Sequence, residues 1–399
     1  MKYDFLIIGS GIIGLSIATK LKDSRPNAKI LILEKEEDVA KHASGRNSGV
    51  LHAGFYYTAD SLKAKFTVNG NKAMRSYCQH KNIPVNQCGK LVVARDEKEL
   101  EQLYELEHRG KRNGSNVKII TEVEASQIEP NIKTHNFALY SPDTASVNPT
   151  QVCNSLRDDL KARGVEFKFS ARYLKHQNGT IETTAGSFSA EKIINCAGLY
   201  ADKVAHDFGF GKKYTMLPFK GLYLKYTKNK TDIKINIYPV PDLRNPFLGV
   251  HFTKTVTGDI KIGPTATPAF WRENYQGFSK FDLGELLSIS SYEARLFALN
   301  SFGFRNLAIE EIKKYNKDYF INLARGMVQE IDPKGFSDFT VPGIRAQLLD
   351  KETLKLVQDF VIEADARSVH VLNAVSPAFT CAFPFAEYVT QNFILKTSS

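Results

Sequence analysis

Three glycines and one acid carry the clearest chemistry in this chain. Gly9-Ser10-Gly11-Ile12-Ile13-Gly14 has the spacing Gly-x-Gly-x-x-Gly, and Glu34 stands 20 residues past Gly14. Gly9 permits a tight turn, Gly11 lets the backbone approach a pyrophosphate, and Gly14 lets a helix pack close to a strand. A helix opening at such a turn offers unpaired N–H groups and partial positive charge to phosphate oxygens. Glu34 can accept hydrogen bonds from both ribose hydroxyls, and its charge disfavours a 2′-phosphate. The pattern binds a dinucleotide, but alone it does not separate FAD from NAD.

The surrounding elements suit that chemistry. Residues 4–8 form a short apolar run that reads as a buried parallel strand, residues 15–21 as a helix, and residues 29–33 as a second strand ending at Glu34. The next segment, residues 41–57, is laden with glycine, serine and polar residues, and suits a chain lying against a large planar cofactor. Residues 97–109 read as an amphipathic helix with Leu100, Leu103 and Leu106 on its apolar side and Gly110 as its stop. Asn148-Pro149 starts another helix, which runs to Gly164. Strands are expected at 165–169, 192–196 and 368–372, a helical region at 282–314 and a terminal helix at 385–393. Residues 214–261 alternate in the manner of a largely antiparallel sheet and carry Phe219, Tyr223, Tyr226, Tyr238, Phe247 and Phe252.

At 399 residues, with 43% apolar and 24% charged residues, the chain has room for two or three domains. This balance excludes a disordered chain, a collagen-like repeat and a coiled-coil rod. Five scattered cysteines without a Cys-x-x-Cys pair point to inert thiols in a reducing compartment, and no His/Cys cluster has metal-ligand spacing. No signal, transit or membrane-spanning segment is evident, so the protein is expected inside the cell. The +10 formal charge suits solubility, an anionic lipid surface or an anionic substrate. No basic run is interleaved with aromatics, so nucleic acid is not expected as a partner.

Several longer blocks add a resemblance that runs from residue 4 to about residue 390. They are Asn47-Ser48-Gly49-Val50-Leu51-His52-Ala53-Gly54-Phe55-Tyr56-Tyr57, Ser61-Leu62-Lys63-Ala64-Lys65 and Gln87-Cys88-Gly89-Lys90-Leu91-Val92-Val93-Ala94. Ile237-Tyr238-Pro239-Val240-Pro241-Asp242, Pro246-Phe247-Leu248-Gly249-Val250-His251-Phe252-Thr253, Pro342-Gly343-Ile344-Arg345-Ala346-Gln347 and Asn373-Ala374-Val375-Ser376-Pro377-Ala378 follow in order. In these blocks the chain resembles the D-amino-acid-oxidase-like FAD-dependent oxidoreductases, and within them the L-2-hydroxyglutarate dehydrogenase/oxidase family. The resemblance implies an α/β fold. A discontinuous Rossmann-like FAD-binding domain (1–88, 146–217 and 338–399) would carry an inserted α+β substrate domain (89–145 and 218–337) with a mainly antiparallel sheet.

It further implies that a 2-hydroxy acid such as L-2-hydroxyglutarate is oxidised to the 2-oxo acid by hydride transfer to flavin N5, with electrons passed to quinone or oxygen. His52 and His251 are the catalytic candidates, since a histidine near its ordinary pKa can take the hydroxyl proton; His52 has a second reading as a covalent flavin attachment point. Arg345 is the carboxylate clamp, because a guanidinium binds a carboxylate through two parallel hydrogen bonds. Tyr57, Lys63, Lys220, Tyr238 and Arg272 are further substrate candidates. The cofactor set is Gly9, Gly11, Gly14, Glu34, Lys35, Ser44, Arg46, Asn47, Ser48, Gly49, Arg172, Ala197, Gly198, Arg345, Pro377, Ala378, Phe379 and Thr380, with the loop 376–380 offering N–H groups to the flavin pyrimidine end.

Departures from the family pattern at Arg46, Leu222, Thr265, Trp271 and Phe379 bear on which acid fits; Arg172 is a further departure, at a position whose backbone would meet the adenine. Other readings are a glycine- or sarcosine-type amine oxidase, a glycerol-3-phosphate dehydrogenase, or a basic flavoprotein scaffold binding membrane or RNA. The expected location is the cytoplasm, with peripheral contact on the cytoplasmic face of the inner membrane.

Overall fold

The computed structural model describes residues 2–177, 179–228, 233–241 and 248–396. Asp242, Pro246 and Phe247 of the resembled blocks lie outside the described residues. The chain divides into two compact units, one of residues 1–47, 149–218 and 345–399, the other of residues 48–148 and 219–344.

The first unit is a sheet covered by helices. Strands Lys2–Ile8, Ile30–Leu33, Glu166–Lys168, Gly186–Asn195 and Ser368–Asn373 run parallel, with Phe5 opposite both Ile30 and Lys192. Ile30–Leu33 and Ser368–Asn373 are buried along their whole length, which is why they read as unbroken apolar runs. Helix Ile12–Ser24 packs against helices Pro149–Ala162 and Ala378–Val389. The terminal helix was expected at 385–393. It begins seven residues earlier at Ala378, contains Pro384, and closes in a π turn, Thr390–Ile394. The buried Lys192 secures that end by donating from Nζ to the carbonyls of Phe393 and Ile394.

His370 lies wholly inside this unit. Asn195 Nδ2 donates to its Nδ1 at 3.2 Å, its Nε2 meets Ser368 Oγ at 3.1 Å, and Phe208 and Phe210 close around the ring. Burial pushes this imidazole down to about 4. A histidine held neutral in the fold favours the folded state above its unfolded pKa of about 6.5, and that advantage is lost as pH falls from there towards 4. Wild-type protein should therefore lose about 3 kcal/mol over that interval from this group. His370→Gln should show a correspondingly shallower acid dependence of its denaturant midpoint. Parallel curves for the two proteins would contradict this.

The second unit is built on an eight-stranded sheet. Its order is Phe336–Phe339, Leu224–Tyr226, Ile260–Gly263, His251–Lys254, Asn236–Pro239, Lys90–Val93, Phe137–Ser141 and Lys118–Thr121. Pairings are antiparallel except for Asn236–Pro239 alongside Lys90–Val93. Alternation sends Leu91 and Val93 into a core with Ile237, Phe252 and Phe320, and Val92 and Ala94 to the other face with Leu103, Leu106 and Phe55. Helix Glu97–Arg112 covers that second face. Gly110 was expected to stop this helix, yet lies inside it. A Cβ there would come within 2.4 Å of Val117 and 3.0 Å of Phe55, so the glycine serves close packing.

Residues 48–88 fall in this unit as well. Val50–Leu51 pairs with Ala145–Val147, and Asn71 on helix Leu62–His80 donates from Nδ2 to the carbonyls of Leu51, His52 and Asp143.

Candidate active site

In the first unit, the turn after strand Lys2–Ile8 leads into helix Ile12–Ser24. Gly11 is the N-cap of that helix, no side chain caps it, and no acid lies in its first turn. Ile12 N–H donates to Ser44 Oγ at 2.9 Å. A Cβ on Gly14 would lie 2.1 Å from the Gly9 carbonyl oxygen, so helix and turn touch only because the residue is glycine. Glu34 is nearly buried. Its Oε2 accepts from Ser10 N–H at 2.9 Å and Ser10 Oγ at 2.7 Å, and its Oε1 from Glu36 N–H at 3.0 Å. The carboxylate is thereby fixed with lone pairs remaining for a ribose. Lys35 pairs with Glu36.

The other cofactor candidates of this unit sit on its connections. Asn47 Nδ2 donates to the Ser44 carbonyl, and Arg46 Nε to the Lys41 carbonyl. Arg172 N–H donates to Thr184 Oγ1 and its carbonyl accepts from Thr184 N–H, and Ala197 N–H donates to Asn195 Oδ1 ahead of the short turn Gly198–Tyr200. Arg345 lies on strand Gly343–Asp350. The expected loop 376–380 is different. Pro377 is the N-cap of helix Ala378–Val389, so Ala378, Phe379 and Thr380 form its first turn rather than a loop. A first turn also presents backbone N–H groups without intrahelical partners.

In the second unit the sheet register gathers a basic and aromatic cluster. Lys90 pairs with Asn236 and Val92 with Tyr238, so Lys90 and Tyr238 are diagonal neighbours on one face. Ile237 pairs with Phe252, which sets Tyr238 beside His251 on the next strand. The Tyr238 and His251 rings stack at 3.6 Å with 16° between planes. His251 Nδ1 lies 2.8 Å from the Gly249 carbonyl oxygen. Only an Nδ1–H can make that bond, so Nε2 carries the lone pair of the neutral ring.

His52 is buried just beyond strand Val50–Leu51. Burial, with Lys90 and then His251 nearby, holds its imidazole well below the ordinary value. The Lys90 Nζ sits 3.8 Å from the Tyr238 ring centre and 5.2 Å from that of Tyr56.

Thus His52, His251 and Tyr238 come together, and sequence reasoning missed two members of their cluster, Lys90 and Tyr56. The signal for Lys90 was a lysine opening the otherwise apolar strand Leu91-Val92-Val93.

The remaining candidates of this unit stand as follows. Ser48 Oγ accepts from Val50 N–H, and the Gly49 carbonyl from Val147 N–H. Lys63 is buried, with Nζ 5.8 Å from the Tyr57 ring centre. Lys220, half-buried opposite Thr267, has its amine pushed down by burial. Arg272 is engaged by the buried Glu285, which accepts its backbone N–H at 2.9 Å and lies 3.4 Å from its Nε. Thr265 Oγ1 accepts from Leu222 N–H and donates to the Lys220 carbonyl, tying two departures together. Trp271 packs against Phe278 and Phe281.

This geometry can be set beside known proteins. The profile of the family described as FAD dependent oxidoreductase matches residues 4–392. An L-2-hydroxyglutarate dehydrogenase of Escherichia coli strain K12 is 35% identical, with 98% of this chain and 92% of that protein covered. One from Indibacter alkaliphilus is 36% identical, with 98% of each covered. A mitochondrial one from Nematostella vectensis is 37% identical, with 98% and 90% covered. Among solved structures, dithionite-reduced L-alpha-glycerophosphate oxidase from Mycoplasma pneumoniae with FAD bound superposes with a TM-score of 0.77 at 22% identity, covering 100% of this chain and 97% of that one. Glycine oxidase from Geobacillus kaustophilus follows with 0.71 at 16% identity, covering 100% and 96%. At such identities these two structures speak to the fold alone.

Proposed function

The chain belongs to the family of FAD-dependent oxidoreductases, and from that premise we propose that it oxidises L-2-hydroxyglutarate to 2-oxoglutarate. The observation that carries this reading is the likeness to L-2-hydroxyglutarate dehydrogenases along 98% of the chain at 35% identity or more.

The residues fit FAD. The helix start at Gly11, where the N-cap residue has no side chain to occupy the following N–H groups, suits a pyrophosphate, and the fixed Glu34 carboxylate suits the adenosine ribose. Ser44, Ala197 and Gly198 would line the same cradle. Bound FAD supplies the two-electron acceptor that the C–H bond of a hydroxy acid requires. The protein's part is to hold a carboxylate, take the hydroxyl proton and exclude water. Arg345 offers a guanidinium to a carboxylate. A neutral buried imidazole, His52 or His251, takes the hydroxyl proton, and burial keeps His52 unprotonated at neutral pH. Anaerobic mixing of the FAD-loaded protein with L-2-hydroxyglutarate should bleach the yellow colour and yield 2-oxoglutarate. Glycine, sarcosine and glycerol 3-phosphate should leave it unchanged. Bleaching by an amine and not by the hydroxy acid would overturn the assignment.

Electrons then pass to quinone or oxygen, and an exposed apolar surface favours a bilayer as the place of delivery. Eleven of the fifteen exposed large apolar side chains among the described residues fall between Phe270 and Tyr315, including Phe278, Leu283, Leu287, Leu299 and Ile312. Patches of this kind mark interaction surfaces. The exposed Lys280, Arg295 and Arg305, with the +10 formal charge, complement an anionic lipid surface. No helix of the described residues is long and apolar enough to cross a membrane, so the contact would be interfacial. The protein should float with phosphatidylglycerol vesicles at low salt. Phe278→Asp with Leu287→Asp should cut flotation at least about tenfold, the loss of two apolar side chains from the interface, while dye-coupled turnover stays at the wild-type level. Equal flotation of both proteins would exclude this face.

A further inference from the structure

We propose that Lys90 binds a carboxylate of the substrate, an inference that rests on reading that substrate as a 2-hydroxy dicarboxylate. The backbone of Lys90 is committed to the sheet, between Asn236 on one side and Ser141 on the other. Its side chain has no such employment. It is completely buried, and its Nζ has no hydrogen-bond partner among the described residues.

The groups around the amine come from several elements. Tyr238 faces it from strand Asn236–Pro239, and Phe55 and Tyr56 from the segment after His52. His52 is close enough to feel its charge, His251 lies beyond Tyr238, and the Cys88 thiol acts from the preceding turn. These are rings, imidazoles and a thiol, with no carboxylate among the described partners. Aromatic faces tolerate a cation, but they leave its three N–H donors unused. As a structural element, an isolated buried amine is inferior to methionine or leucine of similar volume. An incoming carboxylate changes that balance, because it accepts those donors and supplies the missing charge.

A consequence follows for protons. Burial pushes the Lys90 amine down to about 7, so at pH 8 most free protein carries it uncharged. A carboxylate at hydrogen-bond distance favours the charged form, and binding should therefore draw a proton from solvent onto Nζ.

The test uses the FAD-loaded protein and 2-oxoglutarate as probe, with calorimetry at pH 8 in two buffers of different ionisation heat. Wild type should take up about one proton on binding. Lys90→Arg, charged in either state, should bind within about fivefold of wild type without the uptake. Lys90→Met should bind at least about tenfold more weakly, also without it. Proton uptake unchanged in both variants would overturn the proposal. So would Lys90→Met affinity within twofold of wild type, or a wild type that binds without uptake or does not bind. Should Lys90→Met fail to fold, the Lys90→Arg arm still decides. Turnover of L-2-hydroxyglutarate is scored separately. Wild type that binds the probe with uptake yet leaves the hydroxy acid unoxidised refutes the function and not the lysine.

Discussion

Turnover of L-2-hydroxyglutarate is expected to fall by about 10²–10⁴ in His52→Gln or in His251→Gln, whichever ring takes the hydroxyl proton, the range typical of a lost general base. The two rings are prepared differently. His251 is oriented by its bond to the Gly249 carbonyl and by the stacked Tyr238 ring, so its basic Nε2 is presented in a fixed direction. His52 is prepared by its surroundings: burial first, then Lys90 and His251, hold it unprotonated. A base with a depressed pKa is already competent at neutral pH, and is protonated only as pH falls through that depressed value. Wild-type kcat/KM should therefore hold its plateau below pH 6.5 before its acid limb begins. FAD content should stay at the wild-type level in His251→Gln, because the cradle around Gly11 and Glu34 belongs to the other unit. Losses under tenfold in both variants would remove both rings from proton transfer. A large loss in one alone would name the base.

What was legible in the sequence divides by the range over which each signal acts. The strand–turn–helix at Gly9–Gly14 was readable because it depends on residues a few positions apart, and Glu34 because it directly follows the apolar strand Ile30–Leu33. So were the buried strand Ser368–Asn373 and the helix beginning at Pro149. Signals that depend on distant partners were misread. Gly110 resembles a helix stop, yet it lies within Glu97–Arg112 because Val117 and Phe55 leave no room for a side chain. The terminal helix expected at 385–393 begins earlier, at Ala378, and runs through Pro384. Resemblance raised His52 and His251 as candidates, but their companion Lys90 was visible only once the register of two parallel strands set it diagonally from Tyr238. A lysine at the head of an apolar run reads as a strand end meeting solvent, and nothing local says that rings of two other segments close over it.

Two alanine substitutions in the first turn should fail in opposite ways. In Gly14→Ala the new methyl group would sit 2.1 Å from the Gly9 carbonyl oxygen, and backbone cannot rotate aside as a side chain can. The turn must open or the helix must withdraw from the strand, and overpacking of this kind costs about 1–3 kcal/mol. FAD-free Gly14→Ala should therefore melt below FAD-free wild type. In Gly11→Ala the nearest obstacle is Ser44 Oγ at 2.9 Å, a hydroxyl that can swing away at the loss of its bond from Ile12 N–H. The FAD-free protein should melt closer to wild type than Gly14→Ala does, while its FAD affinity drops about 10–100-fold, the cost of one hydrogen bond to a charged group. Thermal melts of stripped protein and fluorescence titration with FAD separate the two. Since the position tolerates a methyl group sterically, only a ligand approaching the backbone gives glycine an advantage there. Wild-type FAD affinity in Gly11→Ala would mean that the pyrophosphate does not rest on this turn.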